Sequence, residues 1–134
     1  TSASYYNVVA EQPNGVMNGL YCLNSLVFPY YDTANQIEKE WWDKFKNIYG
    51  YDPNTGAAYG YIFADILIEA VERAGTDLNL DNLITSLETI KDYEDPLQTG
   101  SVTFSETRRQ GTNISYFFQV QEERFKVISG PIAY

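Results

Sequence analysis

The chain has 134 residues, a length that suits one domain with one hydrophobic core. Apolar residues make up 44% of it, so the composition excludes a disordered chain. With a net charge of −9 the chain is a poor partner for nucleic acid or anionic membranes, because both require clustered Lys and Arg. Histidine is absent and Cys22 is the single cysteine, which removes histidine-based triads, the usual Cys/His zinc sites and internal disulfides. We therefore expect no metal site and no cofactor.

The N-terminal part begins as a loop, and Pro13-Asn14-Gly15 predicts a turn. The run over residues 19–28 is apolar and rich in residues that favour strands, which indicates a buried strand. Cys22 lies inside this run, and we interpret it as a small buried hydrophobic residue and not as a reactive thiol. Residues 29–33 form a linker after the strand.

Three helices are predicted in the middle of the chain, over residues 34–49, 55–74 and 80–91. Thr33 and Gln36 fit a capping box at the start of the first helix, since a hydroxyl and an amide at this spacing can satisfy each other's backbone N–H groups. The residues of this helix that we expect to face the core are Ile37, Trp41, Phe45 and Ile48.

The helix over residues 55–74 is the most apolar stretch of the chain. Within residues 57–67 the only charged residue is Asp65, whereas the second half carries three charged side chains. Because a helix that is apolar nearly all round is usually buried, we expect this helix to start in the interior and to end at the surface. Gly75 ends it, since the residue after a helix often needs a positive φ. Asn79 is the predicted N-cap of the third helix.

The C-terminal part reads as strands, over residues 101–104, 114–121 and 125–129. The last two form a predicted hairpin around the loop Glu122-Glu123-Arg124.

The acidic residues Asp92, Glu94 and Asp95 are interpreted as solvated charges, because their spacing lacks the alternating ligands of a calcium loop. The other carboxylates form no motif that indicates paired acid and base catalysis. We find no catalytic constellation, and we expect the chain not to be an enzyme.

A set of pieces along the chain matches the order found in a known family. These pieces are Gly19-Leu20-Tyr21, Phe28-Pro29-Tyr30, residues 42–50, Asp52-Pro53-Asn54, residues 57–61, residues 70–75, residues 83–87 and residues 100–104. Each piece is weak evidence alone, because aromatic and glycine patterns recur in many folds, but their common order is stronger evidence. In this order the chain resembles the C-terminal part of type I periplasmic solute-binding proteins of ABC transporters, the branched-chain amino acid-binding type.

The resemblance implies an α/β chain that is part of a two-lobed protein, with three helices, a strand near the start and a C-terminal β-hairpin. It assigns residues 1–30 and 100–134 to strands of the second lobe and residues 31–99 to the helical part of the first lobe. Family members are considerably longer, so we expect a fragment that begins late in the second lobe. Its exposed apolar surface should then drive dimerisation or strand exchange.

The resemblance also implies ligand contacts at the start of the second predicted helix. Tyr59 would line the ligand cleft, and Ala57 and Ala58 would be small enough to admit a ligand. A helix N-terminus offers free N–H groups that suit a carboxylate. The alternative for Tyr59 is ordinary packing in the core.

Three further candidate contacts lie nearer the N-terminus. Ser4 and Tyr5 belong to a loop that would face the cleft, and the alternative is a frayed chain end. Tyr30 lies where the chain would cross between lobes, and the alternative there is a hinge packed by aromatic rings.

The function that the resemblance implies is the extracytoplasmic or periplasmic solute-binding component of an ABC transporter. Its partners would be a small amino acid-like ligand and a membrane permease. The alternative is the ligand-sensing ectodomain of a signalling receptor with the same fold. Which amino acid would bind is outside what the sequence predicts, because family pockets use both lobes.

Overall fold

A computed structural model describes residues 6–133, and it has a mixed α/β architecture. The helices α1–α4 cover Asn7–Ala10, Gln36–Tyr49, Thr55–Ala74 and Leu80–Glu88. The strands β1–β5 cover Tyr21–Asn24, Tyr93–Glu94, Ser101–Val102, Ile114–Gln121 and Arg124–Ala133. The predicted class is confirmed, with three long helices, a strand near the start and a C-terminal hairpin.

The described residues form two compact units. The first unit comprises residues 6–58 and 114–133, and the second comprises residues 59–113. The assignment of residues 1–30, 31–99 and 100–134 to the lobes of a longer protein stays a prediction.

The sheet of the first unit has the strand order β1-β4-β5, and both pairs are antiparallel. Strand β1 is shorter than the predicted run, because its ladder with β4 covers Tyr21 to Asn24. Just before it, the Gly19 N–H donates to the carbonyl oxygen of Val120 in β4 at 2.8 Å. Phe118 and Val120 of β4 are fully buried, and Cys22 is buried opposite Phe118. Burial raises the pKa of the Cys22 thiol to about 11, as the interpretation of an inert, buried cysteine requires.

The hairpin between β4 and β5 has a tighter turn than predicted. Gln121 lies opposite Arg124, so Arg124 belongs to β5 and the turn consists of Glu122 and Glu123 alone. Both glutamates have positive φ, 54° and 61°. These values fit a two-residue hairpin turn, but residues with a Cβ rarely adopt them. Side-chain contacts hold the turn in place. The Gly15 N–H donates to Glu123 Oε1 at 3.0 Å.

Helix α2 begins two residues later than predicted, and its cap is different. Asn35 and Glu38 form the capping box: the Glu38 N–H donates to Asn35 Oδ1 at 2.9 Å, and the Asn35 N–H donates to Glu38 Oε2 at 2.6 Å. The predicted pairing of Thr33 with Gln36 is therefore wrong. The Thr33 hydroxyl instead donates to the carbonyl oxygen of Tyr30 at 3.2 Å, one turn before the helix.

The predicted core face of α2 is only partly confirmed. Trp41 is buried and Phe45 is half-buried, but Ile37 and Ile48 are 42% and 61% exposed. Trp41 and Phe45 pack with their ring centroids 6.2 Å apart, and aromatic contacts of this kind continue along the helix. The inward surface of α2 is therefore built from its rings and not from its isoleucines.

Helix α3 has exactly the predicted limits but not the predicted burial. One stripe is buried along its whole length, formed by Ala58, Ile62, Ile66 and Ala70. Apolar residues on its other sides are exposed, namely Tyr61, Phe63, Leu67 and Ile68. The expectation of a helix buried all round at its start is therefore wrong, because the apolar composition does not reveal which side is covered.

In the second unit, strand β2 is hydrogen-bonded to the middle of helix α3. The Tyr93 hydroxyl donates to Asp65 Oδ2 at 2.7 Å, and this hydrogen bond to a carboxylate raises the pKa of Tyr93 to about 12. Asn79 caps α4 as predicted, accepting from the Asn82 N–H at 3.0 Å. Helix α4 ends at Glu88, three residues before the predicted end.

Asp95 is not the solvated charge that the sequence predicts. Its side chain is buried and accepts hydrogen bonds from the Leu97 N–H at 2.9 Å, the Thr99 N–H at 3.2 Å and the Thr99 hydroxyl at 2.9 Å. It therefore organises the turn that joins β2 and β3. The neighbouring Asp92 and Glu94 are exposed, as expected.

Candidate functional site

The start of helix α3 is fastened to helix α1 by a buried pair of side chains. The Thr55 N–H donates to Asn7 Oδ1 at 2.9 Å, and the Asn7 N–H donates to Thr55 Oγ1 at 3.0 Å. The Thr55 hydroxyl also donates to Asn7 Oδ1 at 3.2 Å. Both residues are buried, so these bonds replace water at the helix end.

Asn54 satisfies the next N–H groups of the same helix end. Its side-chain oxygen accepts from the Ala57 N–H at 3.0 Å, and its carbonyl oxygen accepts from the Ala58 N–H at 3.1 Å. Together with Asn7, this residue occupies donors that we expected to be free for a ligand carboxylate. Any ligand at this helix start would therefore meet chiefly side chains and not a row of unpaired backbone donors.

The three predicted ligand contacts of α3 have different surroundings. Ala57 is half-buried and Ala58 is fully buried. Tyr59 is half-buried, and its ring stacks on Phe63 with the centroids 5.6 Å apart and the planes 28° from parallel. Packing on Phe63 therefore accounts for part of the burial of Tyr59.

A cleft of about 480 Å³ lies within the first unit. Its walls come from α1 and the residue after it, the linker before α2, α2 itself, the loop before α3, the β4–β5 turn and the start of β5. The lining residues are Asn7, Glu11, Tyr30, Tyr31, Asp32, Trp42, Asp52, Pro53, Glu122, Glu123 and Arg124. The volume falls in the range of small-molecule sites, although the walls are more polar than such sites usually are.

Tyr30 is the predicted contact that this cleft contains. Its hydroxyl accepts a hydrogen bond from the Phe125 N–H at 3.0 Å, and the Arg124 guanidinium lies 5.1 Å from the centre of its ring. Burial is the main cause that raises the pKa of Tyr30 to about 12. The linker is thus held to the start of β5 by a hydrogen bond and a cation–π contact.

The charged groups of the cleft are mostly paired inside the protein. Arg124 Nη1 lies 2.6 Å from both carboxylate oxygens of Asp32, and this contact is the main cause that lowers the pKa of Asp32. Asp52 Oδ1 lies 2.8 Å from Lys46 Nζ and accepts from Trp42 Nε1 at 3.1 Å, which lowers the pKa of Asp52. These pairs suit a structural or binding role.

The structure places the predicted contacts in two groups. Tyr30 lines the cleft of the first unit, whereas Ala57, Ala58 and Tyr59 are not among its lining residues. Ser4 and Tyr5 lie outside the described residues.

Asn7 and Arg124 are not among the site residues that the sequence predicts. No local pattern marks them, because their partners lie 48 and 92 positions away along the chain. Asn54 did carry a signal, since an Asn before Thr-Gly at a helix start is a typical cap.

Among residues 6–133 no group of three or more His, Cys, Asp or Glu side chains could hold a metal ion. In the same part of the chain, no helix combines the length and apolarity that a membrane crossing requires.

Comparisons with known proteins identify relatives of the chain. The family profile described as "Periplasmic binding protein" matches residues 1–124. No curated protein matches the chain.

Solved structures show the same fold. A branched chain amino acid ABC transporter protein from Thermus thermophilus with bound valine has a TM-score of 0.76 at 13% identity, over 96% of this chain and 37% of its own. A leucine binding protein from Thermotoga maritima has a TM-score of 0.65 at 18% identity, over 92% and 33%. A solute binding protein from R. palustris in complex with benzoate has a TM-score of 0.63 at 16% identity, over 86% and 30%. The chain thus spans about a third of the length of these structures.

Proposed function

Because the chain belongs to the periplasmic binding protein family, we propose that it forms part of the solute-binding component of an ABC transporter. The observation that carries this proposal is the family match over residues 1–124. The order of the sequence pieces along the chain agrees with this match. In this role the protein is not an enzyme and acts outside the cytoplasm.

The proposed ligand is an amino acid or a similar small polar molecule. Among the structural relatives, one holds valine and another holds benzoate, so a carboxylate is the group that these two ligands share. The ligand would lie between two α/β lobes and would favour their closed arrangement. The shift toward closure is limited by the difference between the ligand's affinities for the closed and open states. A membrane permease would then bind the closed form.

The proposed contacts of this chain with the ligand are Ala57, Ala58 and Tyr59 on α3, Ser4 and Tyr5 near the N-terminus, and Tyr30. For Tyr59 the support is its half-buried position beside a helix start whose backbone is fixed by Asn7 and Asn54. Since those two residues already use several N–H groups, we propose that Tyr59 contributes through its ring and hydroxyl. Ala57 and Ala58 contribute by their small size.

The test is a thermal-shift screen of the complete gene product against leucine-like, polar and aromatic amino acids, with benzoate as a carboxylate that lacks an amine. A rise in Tm with at least one amino acid, confirmed by calorimetric titration, is the expected result. A rise in Tm with benzoate alone would indicate that the ligand is a simple carboxylate and not an amino acid. If no compound of the panel shifts Tm, the proposal loses its support.

The 134-residue chain alone is a useful second sample. We expect it to bind no member of the panel measurably, because the chain supplies only part of a site that lies between two lobes. Micromolar affinity of this chain alone would contradict that expectation. A transmembrane span encoded after this chain would favour a sensor ectodomain over a transporter component.

A further inference from the structure

Two Asn-Gly pairs, Asn14-Gly15 and Asn18-Gly19, lie between α1 and β1, and both asparagines are exposed. No other asparagine of the sequence is followed by glycine. An Asn-Gly pair is prone to lose its side-chain amide, because glycine has no Cβ that would hinder the approach of its backbone nitrogen to the Asn Cγ atom. Since the two pairs share this chemistry, a difference between their rates has to come from the fold.

Loss of the amide requires that the glycine N–H leave its hydrogen bond. The glycine nitrogen gives up its proton and attacks the asparagine Cγ, the Cγ–Nδ2 bond breaks, and the amide nitrogen leaves as ammonia. The succinimide ring that results takes up water and opens to aspartate or isoaspartate. An acceptor that holds the glycine N–H keeps the proton and the peptide plane in place, so the reaction proceeds only from the locally opened state.

The acceptor of the Gly19 N–H is part of the sheet. This N–H donates to the carbonyl oxygen of Val120 at 2.8 Å, and the Val120 N–H donates in turn to the carbonyl oxygen of Leu20 at 2.8 Å. Val120 is fully buried in β4, and the β1–β4 ladder begins one residue after Leu20. Gly19 is therefore released only when backbone pairing at this end of the sheet opens.

The acceptor of the Gly15 N–H is a side chain. This N–H donates to Glu123 Oε1 at 3.0 Å, and Glu123 is half-buried in the β4–β5 turn. A change of one side-chain rotamer is enough to release Gly15, and such changes are much faster and less costly than the opening of a strand pair. The Asn14-Gly15 pair is thus protected by a weaker device than the Asn18-Gly19 pair.

We propose that the folded protein loses its side-chain amide at Asn14 in preference to Asn18, and that Glu123 sets the rate by holding the Gly15 N–H. The conversion places a carboxylate beside Gly15, and isoaspartate also lengthens the backbone there by one methylene. The contact between Gly15 and Glu123 is then weakened. Because Glu122 and Glu123 line the cleft of the first unit, this modification acts on one wall of that cleft. The proposal does not depend on the proposed function.

The test follows both asparagines in one sample. The complete gene product is incubated in mildly alkaline buffer, and mass spectrometry of its peptides gives the converted fraction at each asparagine over time. Conversion at Asn14 should be at least about five-fold faster than at Asn18 in the folded protein, a ratio that corresponds to one hydrogen bond. In concentrated urea, where neither contact exists, the two rates should be similar.

Two variants of the β4–β5 turn form a matched pair, since each replaces a glutamate that has positive φ. Glu123→Ala removes the acceptor of the Gly15 N–H and should speed conversion at Asn14 by about five-fold. Glu122→Ala removes the ion pair with Lys126 instead and should leave that rate unchanged. Both variants should leave Asn18 unchanged, because the Glu123 N–H that donates to Asn18 Oδ1 belongs to the backbone.

Three results would overturn the proposal. Equal rates at Asn14 and Asn18 in the folded protein would show that the two acceptors protect equally well. Slower conversion at Asn14 in Glu123→Ala would make this glutamate the base that takes the Gly15 proton. The same acceleration in both variants would show that opening of the whole turn sets the rate. Circular dichroism checks that each variant is folded, and the comparison of Asn14 with Asn18 in the original protein needs no variant.

Discussion

Asn7 and Thr55 exchange three hydrogen bonds across 48 positions of the chain, and both are buried. Each residue uses a backbone N–H and a side chain in this exchange. The start of α3 is thereby fixed to α1 at the place where the family resemblance expects ligand contacts. Positioning of this kind depends on one pair of side chains, so it can be tested by changing them singly.

Asn7→Ala should lower the free energy of unfolding by about 1–3 kcal/mol, because it removes the acceptor of the buried Thr55 N–H. Thr55→Val should have a similar effect, and the double variant should lose less than the sum of the two. Urea unfolding followed by circular dichroism gives these values. Asn47→Ala, at an exposed position of α2, is the control and should cost little. Strictly additive effects would show that the two residues do not act as a pair.

Asn35→Ala should lower the stability of the chain by about 1 kcal/mol, since it removes the N-cap of α2 and half of the capping box. Thr33→Ala changes an exposed hydroxyl bond outside the helix and should cost less than about 0.5 kcal/mol. The two variants are compared by thermal unfolding under the same conditions. If Thr33→Ala lowered the stability more than Asn35→Ala, the cap that the sequence predicts at Thr33 would be the correct one.

The ion pair of Asp32 with Arg124 should make stability depend on pH in the acid range. The folded-state pKa of Asp32 is lowered, so its contribution is present above the unfolded pKa, about 3.9, and is lost as pH falls through the folded pKa. The stability gap between the original chain and Asp32→Asn should therefore be constant from pH 7 to about pH 5 and should close below about pH 4. Glu106→Gln, in an exposed loop, serves as the control. A gap that does not shrink at all between pH 5 and pH 2 would contradict the assignment of the effect to this carboxylate.

The 134-residue chain should associate with itself in a concentration-dependent way. Exposed apolar side chains lie on α3 and on strand β1, among them Phe63, Leu67, Ile68 and Tyr21. The net charge of −9 opposes association, so added salt should strengthen it by screening. Sedimentation velocity at several concentrations and salt levels measures this, and Leu67→Gln should weaken it. A monomer at every concentration would count against exposed apolar surface as a driving force.

The elements that the sequence predicts best are those with a complete local pattern. Helix α3 and strand β4 have the predicted limits, because Gly75 and the two turns around residues 113 and 122 mark their ends. Helix α2 started later than expected, since Thr33 and Asn35 are both good caps and only the geometry of the chain decides between them. The strand predicted over residues 19–28 is shorter in the structure, because its pairing with β4 sets its length.

The candidate site was less predictable than the fold. The family pattern makes Tyr30 a candidate contact, but its partners Arg124 and Phe125 lie far away along the chain. Asn7 accepts the hydrogen bond from the Thr55 N–H at the start of α3. No local sequence pattern connects Asn7 to that helix. Contacts between distant segments depend on how the chain packs, and packing partners cannot be read from the local patterns of a single sequence.

Helix α3 also bears on how this protein can be divided or recombined. Its backbone hydrogen bonds run across the boundary between Ala58 and Tyr59, so a cut or an exchange of segments at that boundary would leave two frayed helix ends with unpaired N–H and carbonyl groups. The two units are therefore poor modules for shuffling between relatives. Crossover points before Thr55 or after Gly75 would keep α3 whole.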